Sequence, residues 1–359
     1  MADQDASGSD RTGGRGHRAQ GPGARMAGGG GLVEIVPNVS EGRRGEVVDE
    51  IVEAFSLAHP EVLLLDRSSD PDHNRSVLTL AGPGPAVVEA AVSGAAACVR
   101  RIDLNDHRGV HPRIGALDVL PFVPLDPAGD CVPLALEAGR RLVEELGIPV
   151  YFYGAAARSP ARKELPSVRG GGFEELLVAA ARDPARAPDL GGPAPHPTAG
   201  ATAVGVRPFL IAYNVNLATA DLALARRVAR AVRTRDGGLP ALRALGLPLG
   251  RRGLTQVSMN LLDFRVTGLA AAFDAVAHLA GEAGVDVAGS EIVGLVPRAA
   301  LAGVDPERLK LGADPVELTV EERVRRALAD REPAGRAGRP HADRAGGAHA
   351  RREQGGFPM

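Results

Sequence analysis

Tryptophan is absent from the sequence and aromatic residues make up only 3% of it, so stacking platforms for single-stranded nucleic acid have little to be built from. There are two cysteines, Cys98 and Cys131, which excludes a disulfide scaffold and points to a reducing compartment, the cytoplasm. No apolar run approaches the roughly 18 residues a membrane-spanning helix needs, and the N-terminus shows no signal-peptide segment. No sign of charge dominates. The 42 Lys and Arg stand against 44 Asp and Glu, which gives no electrostatic reason to expect nucleic acid or an anionic membrane as partner. Lysine occurs only at Lys163 and Lys310, a skew too general to mark a site. What remains is a chain of 359 residues, 44% hydrophobic, long enough for a sizeable core in two domains or two halves.

Residues 1–31 are Gly, Arg, Ala, Asp and Ser without apolar periodicity, and residues 331–359 repeat that composition. Neither buries enough apolar surface to offset its ordering entropy, so both are expected to be disordered tails, with Met26 as an alternative start. Between them, strands and helices alternate. Leu32–Val39 reads as a strand, Gly45–Leu57 as a helix, Val62–Asp66 and Ser76–Ala81 as strands, Pro85–Ile102 as a helix and Gly115–Leu125 as a strand. Pro121 and Pro124 favour an edge or a bulge for that last strand. This βαββαβ order is the split-βαβ, ferredoxin-like unit. A helix at Cys131–Leu146 and a strand at Val150–Tyr153 follow, then the Pro/Gly-rich stretch 184–205. The alternation resumes with a strand at Phe209–Leu217, a helix at Thr219–Arg233 capped by Thr219, a strand at Leu254–Asp263, a helix at Leu269–Ala283 and a strand within Val285–Leu295. The expected architecture is α+β: a subdomain at 32–183, a hinge and ligand loop at 184–205, and a second subdomain at 206–330.

Four clusters carry chemistry. Ile102–Asp118 (IDLNDHRGVHPRIGALD) brings two histidines, two arginines and three aspartates into one connection. His107 and His111 are four apart, but Gly109 and Pro112 argue against a helix that would make them a metal pair. An imidazole at His111 beside Arg113 suits proton transfer next to a guanidinium that grips a carboxylate. Asp66–Arg75 (DRSSDPDHNR) is turn chemistry up to Asp72, whereas Asn74 and Arg75 enter a strand end with few expected partners. Val36–Gly42 (VPNVSEG) sets Asn38, Ser40 and Glu41 before a helix, where an anion could sit or Ser40 could simply cap. The stretch Pro188–Gly200 (PDLGGPAPHPTAG) is either a linker or the wall of a cleft. Gly170-Gly171-Gly172 lacks the context of a phosphate loop.

Together these clusters resemble the glutamate formimidoyltransferase (formiminotransferase) family. The strings that carry the resemblance are VPNVSEG at Val36–Gly42, LLLDRSSDPDHNRSV at Leu63–Val77, RGVHPRIGALDVLPF at Arg108–Phe122 and PVYFYGAAAR at Pro149–Arg158. LPSVRGG at Leu165–Gly171, FLIAYNVNL at Phe209–Leu217, QVSMNLLDF at Gln256–Phe264 and GSEIVGLVP at Gly289–Pro297 continue them in order. The resemblance implies two ferredoxin-like subdomains and transfer of a formimidoyl group between N-formimidoyl-L-glutamate and tetrahydrofolate in histidine degradation. It implies His111 as the catalytic residue and a folate segment comprising Gly191, Gly192, Pro193, Ala194, Pro195, His196, Pro197, Thr198, Ala199 and Gly200. Ala199 stands where an aromatic can occur, and Ser68 and Val110 stand where some members carry a carboxylate. Animal relatives are fused to a cyclodeaminase, an activity not expected from the tail after residue 330.

The residues fit this chemistry. One imidazole can take the proton of the attacking amine and return it to the leaving one, and the carboxylates of both substrates call for arginines. Arg75, Arg113 and Arg169 are the candidate anchors, with Asn38 and Asn74 beside them. Tetrahydrofolate is expected as co-substrate, with no metal or redox cofactor, and the partners as small molecules and a second copy of the chain in a homodimer. Rival readings are a metal-dependent amidohydrolase using His107 and His111, a folate-binding protein without catalysis, and a one-carbon transferase with another donor or acceptor. As an exposed loop, the segment 191–200 is expected to tolerate a bulky residue at Gly200 with loss of folate affinity rather than of folding.

Overall fold

A computed structural model describes residues 31–71, 73–109, 112–125, 129–180, 182–249, 253–312 and 314–331. Apart from Gly31 and Arg331, the two expected tails lie outside the described residues, as do Val110 and His111. The expected first strand is two, β1 (Leu32–Ile35) and β2 (Asn38–Val39), interrupted at Val36-Pro37. There follow α1 (Gly45–Leu57), β3 (Leu63–Asp70), β4 (Arg75–Pro83), α2 (Gly84–Arg101) and β5 (Leu117–Pro124). Helix α1 buries Val47, Val48, Ile51, Val52 and Phe55, one apolar face at helical spacing. It docks on α2 at Gly94, where any Cβ would collide with the Phe55 ring.

Strand β5 is central, not an edge: it pairs antiparallel with β1 and β2 on one side and parallel with β7 (Thr202–Val206) on the other. Pro121 is tolerated because its carbonyl accepts from Val36 N–H (3.2 Å). The N–H and C=O of an extended residue point the same way, so the donor that Pro121 lacks faces the interruption between β1 and β2.

After α3 (Val132–Leu146), closed by Gly147 at φ +66, come β6 (Val150–Gly154), α4 (Leu165–Arg169), α5 (Gly172–Ala179) and β7. The sheet reads β3, β4, the interrupted β1/β2, β5, β7, β6, with the last two pairings parallel. Residues 202–205, read from sequence as the end of a hinge, are thus strand. All five residues of β7 are buried, so it has no inside–outside alternation to read.

The second half contains β8 (Ile211–Leu217), α6 (Leu222–Val232), β9 (Leu242–Leu249), β10 (Leu254–Leu261), α7 (Leu269–Glu282) and β11 (Val287–Val293). Its antiparallel order, β11-β8-β10-β9, repeats that of β5, β1/β2, β4 and β3. Both halves therefore carry the ferredoxin-like βαββαβ pattern. Strand β9 escaped the sequence reading because Gly246 and Pro248 interrupt its pattern. The cap of α6 is Asp221, which accepts from Leu224 N–H (3.1 Å), and Thr219 instead accepts from Asp221 N–H (3.1 Å).

Helix α8 (Val320–Ala329) returns to the first half, packing Val320 and Val324 against Leu63, Leu65 and Ala81. Arg331 then donates to the carbonyls of Pro60 (2.5 Å) and Val62 (2.6 Å). Helices α1–α3 cover one face of the first sheet. Helices α4 and α5 cover part of the other, over Tyr151, Tyr153 and Ala203. The rest of that face looks across a cleft to the helix-free face of the second sheet.

Candidate active site

The cleft floor on the first sheet is built around Asp118. Val39 pairs with Leu117 and Asn38 with Val119, so Asp118 is the extra residue of a β-bulge, which re-aims its side chain. It is 1% exposed. Its Oδ1 accepts from Ile114 N–H (2.8 Å) and its Oδ2 from Arg169 Nη2 (2.5 Å), with Arg75 Nη1 at 3.7 Å. Arg75 also donates to Asn38 Oδ1. Burial first, then the neighbouring charge of Arg169, pushes the Arg75 guanidinium down to about 9, so it stays charged at neutral pH. Two cations share one carboxylate, and the floor is left positive. Beside them the Tyr153 ring lies over Gly205, where a Cβ would collide with it, and burial pushes the Tyr153 hydroxyl up. At the other end of the floor Glu34, 2% exposed, is pushed up to about 7 by burial, against a weaker pull from Arg207.

The connection that carries His111 is pinned on both flanks. Asn74 adopts φ +51; its Oδ1 accepts from Gly42 N–H (3.0 Å), its Nδ2 donates to the Arg108 carbonyl (3.1 Å), and its own carbonyl accepts from His107 Nε2 (2.8 Å). A carbonyl only accepts, so Nε2 carries the proton. Nδ1 of His107 is buried without a partner among the described residues, and burial lowers the ring's pKa. Gly42 and Gly109 have no room for a Cβ against the backbone of Asp70 and His73. On the far flank Arg113 donates to both oxygens of Glu174 (3.0 and 2.8 Å) and to the Leu104 and His107 carbonyls (3.2 and 3.3 Å). Asn74 thus directs its polar groups into the loop, whereas Arg113, held to Glu174 and the loop carbonyls, also lines the cleft. Before α1, neither an anion site nor a Ser40 cap forms. Ser40 Oγ donates to the Gly115 carbonyl (2.7 Å), and the Glu41 carboxylate fills the helix entrance by accepting from Arg43 and Arg44 N–H (2.8 and 2.9 Å).

The segment 191–200 packs against this same loop rather than lining the cleft. Leu104 N–H donates to the Thr198 carbonyl (2.8 Å), Asn105 Nδ2 to the Pro197 carbonyl (3.1 Å) and Ala116 N–H to the Ala199 carbonyl (2.9 Å). His196 Nδ1 accepts from Ala199 N–H (3.0 Å). Gly191, Gly192, Pro193, Ala194 and Pro197 are exposed, whereas Pro195, Ala199 and Gly200 are buried. Gly200 sits at φ +71 with the Ile114 carbonyl where a Cβ would go. The expectation of a tolerant exposed loop therefore fails at Gly200.

Sequence reasoning missed Asp118, Tyr153 and Glu34 on the first sheet, and on the second Asn214, Gln256 and Glu291, which line the same cleft. Asn214 Nδ2 donates to Glu291 Oε1 (3.0 Å); Gln256 Nε2 donates to the same oxygen (3.1 Å) and to Asn216 Oδ1 (2.9 Å). Their signal was weak: polar residues at alternate strand positions ordinarily mean solvent. Ser68 also lines the cleft. Among the described residues no group of three or more His, Cys, Asp or Glu could hold a metal ion, and no helix is long and apolar enough to cross a membrane.

Two ferredoxin-like halves thus enclose a cleft with Arg75 and Arg169 on one wall and Asn214 and Gln256 on the other. The profile of the formiminotransferase domain, N-terminal subdomain, matches residues 32–207, and that of the formiminotransferase domain matches residues 212–307. The chain belongs to the formiminotransferase family. It is 44% identical over 283 residues to a Thermoplasma acidophilum protein named glutamate formimidoyltransferase, covering 78% of this chain and 93% of that one. A Streptococcus pyogenes serotype M1 protein of the same name is 42% identical over 275 residues, covering 76% and 91%. A Sus scrofa protein named formimidoyltransferase-cyclodeaminase is 44% identical over 277 residues, covering 75% of this chain and 51% of that one.

Proposed function

We infer that the chain is a glutamate formimidoyltransferase, moving a formimidoyl group between N-formimidoyl-L-glutamate and tetrahydrofolate to give 5-formimidoyltetrahydrofolate and L-glutamate in histidine degradation. The observation that carries this reading is the 44% identity spanning 93% of a relative of that name. The cleft suits it, since both sheets wall it and the guanidinium groups of Arg75 and Arg169 stand on one side of it.

In this reading the folate amine attacks the amidine carbon, and a tetrahedral carbon forms. The glutamate nitrogen then leaves with a proton. His111 takes the proton of the attacking amine and delivers it to the departing one. Arg75 and Arg169, held by Asp118 and Asn38, grip a substrate carboxylate. Asn74 and Arg113 hold the loop. The segment 191–200, bonded to Leu104, Asn105 and Ala116 outside the cleft, acts on tetrahydrofolate through the connection that it braces, and tetrahydrofolate is a co-substrate rather than a resident group. The transfer itself calls for no metal or redox step. A cytoplasmic homodimer is part of the same proposal.

The test is kinetic. His111→Ala should lower kcat by about 10²–10⁴-fold with little change in KM, and His107→Ala, which loosens only the loop, by much less. Equal losses accompanied by loss of bound metal would favour the amidohydrolase reading instead.

A further inference from the structure

We propose that the helix-free face of the second sheet is a recognition wall for an N–H-rich planar group of a substrate, read by the side-chain carbonyls of Asn214 and Gln256, which Glu291 orients. Strand register builds the wall. Glu291 on β11 stands directly opposite Asn214 on β8, and Gln256 on β10 is opposite Asn216, the next residue on that face. Asn214 is 9% exposed and Gln256 7%, although no helix of their own half covers them. Burying two amides beside a half-buried carboxylate is costly unless each group is used.

The carboxylate decides how the amides point. An ionised carboxylate is an acceptor only, so both amides must turn their NH₂ groups toward Glu291 Oε1. Their carbonyl oxygens then point away from it. No described residue donates to either oxygen, and both side chains line the cleft. What this trio offers a ligand is two amide carbonyls and the second oxygen of Glu291, all acceptors. Its complement is a flat group with several N–H donors.

This inference rests on the proposed reaction for its two sources of such a group: the amino-pyrimidinone edge of the pterin and the amidine of N-formimidoyl-L-glutamate. The geometry across the cleft agrees with either, because the opposite floor is a surface of guanidinium donors. Carboxylates would face the first sheet and N–H groups the second.

Wild-type turnover with tetrahydrofolate and N-formimidoyl-L-glutamate tests the reaction by itself. The wall is tested by steady-state kinetics of Gln256→Leu, Asn214→Leu and Glu291→Gln, with melting temperature as the check of folding. Glu291→Gln keeps the side-chain volume and frees both amides to rotate, so it serves if a leucine variant fails to fold. Each should raise one KM by about 3- to 10-fold with kcat largely retained, as loss of a hydrogen bond or two requires. A rise confined to the tetrahydrofolate KM assigns the wall to the pterin edge; a rise confined to the formimidoylglutamate KM assigns it to the amidine. Unchanged KM for both substrates in variants that melt like the wild type would overturn the proposal.

Discussion

On the first sheet the cleft is faced by Arg75 and Arg169, two guanidinium groups around the buried carboxylate of Asp118; on the second it is faced by Asn214, Gln256 and Glu291, two amides around one carboxylate. The strand orders are the same, so topology does not account for the contrast. It arises from what was added to the first half. Asp118 is aimed by a bulge and Arg169 stands at the end of α4, in the stretch that also contributes β6 and β7. The second half has no such insertion: Asn214 and Gln256 follow strand alternation, and Glu291 is brought opposite Asn214 by a bulge in β11 between Val287 and Gly289. One wall is therefore an interlocked ionic cluster, and the other a set of separable hydrogen bonds.

The comparison is broken most severely at Asp118. In Asp118→Asn two buried guanidinium groups lose their shared counter-charge, so stability should fall by about 3–5 kcal/mol in urea unfolding, the scale for breaking a buried pair. Glu291→Gln on the opposite wall should cost far less. Equal losses would erase the distinction between the walls.

Glu34 gives the next effect. Its ordinary carboxyl value is 4.5, and in the fold it is pushed up to about 7. Between these values the folded chain holds a proton that the unfolded chain has released. Its contribution to stability is thus fully present below about 4.5 and is lost as the pH rises to about 7, roughly 3 kcal/mol in all. Glu34→Gln should flatten that dependence, so that the variant exceeds the wild type in stability at pH 8 and not at pH 4. Unfolding at the two pH values checks the sign.

Gly200→Val comes third. Backbone strain at φ +71 and the collision with the Ile114 carbonyl should lower stability by at least about 1–3 kcal/mol, visible as a drop in melting temperature before any folate is added. The smallest effect concerns the chain end. Removing residues 332–359 should leave the melting temperature unchanged, whereas removing Arg331 as well forfeits two hydrogen bonds to β3's approach and should cost about 1 kcal/mol.

The βαββαβ order of the first half was legible because α1, α2 and the half-buried strands carry strong periodicity, whereas the second half read as βαβαβ. Strand β7 was not, since Thr202–Val206 is small, short and buried on both faces. Strand β9 was not, since Gly246 and Pro248 resemble a turn. At the site, Arg75 and Arg169 stood out because each lies beside Asn or Gly in the sequence, although Arg169 is the last residue of helix α4 and not outside a helix as expected. Asn74 and Arg113 were named with them, but sequence gave no means of seeing that loop backbone and Glu174 would take up their polar groups. Asp118 depends on a bulge, and Asn214, Gln256 and Glu291 meet only through strand register. No local pattern announces either.

The measurement that bears most directly on the account is transfer by the purified full chain: N-formimidoyl-L-glutamate and tetrahydrofolate are mixed with the protein, and L-glutamate and 5-formimidoyltetrahydrofolate are quantified together. The account expects the two products to appear in equal amounts, at a rate proportional to protein. Glutamate released without a folate product would mean hydrolysis, and folate bound without either product would mean a binding protein; each contradicts the transferase.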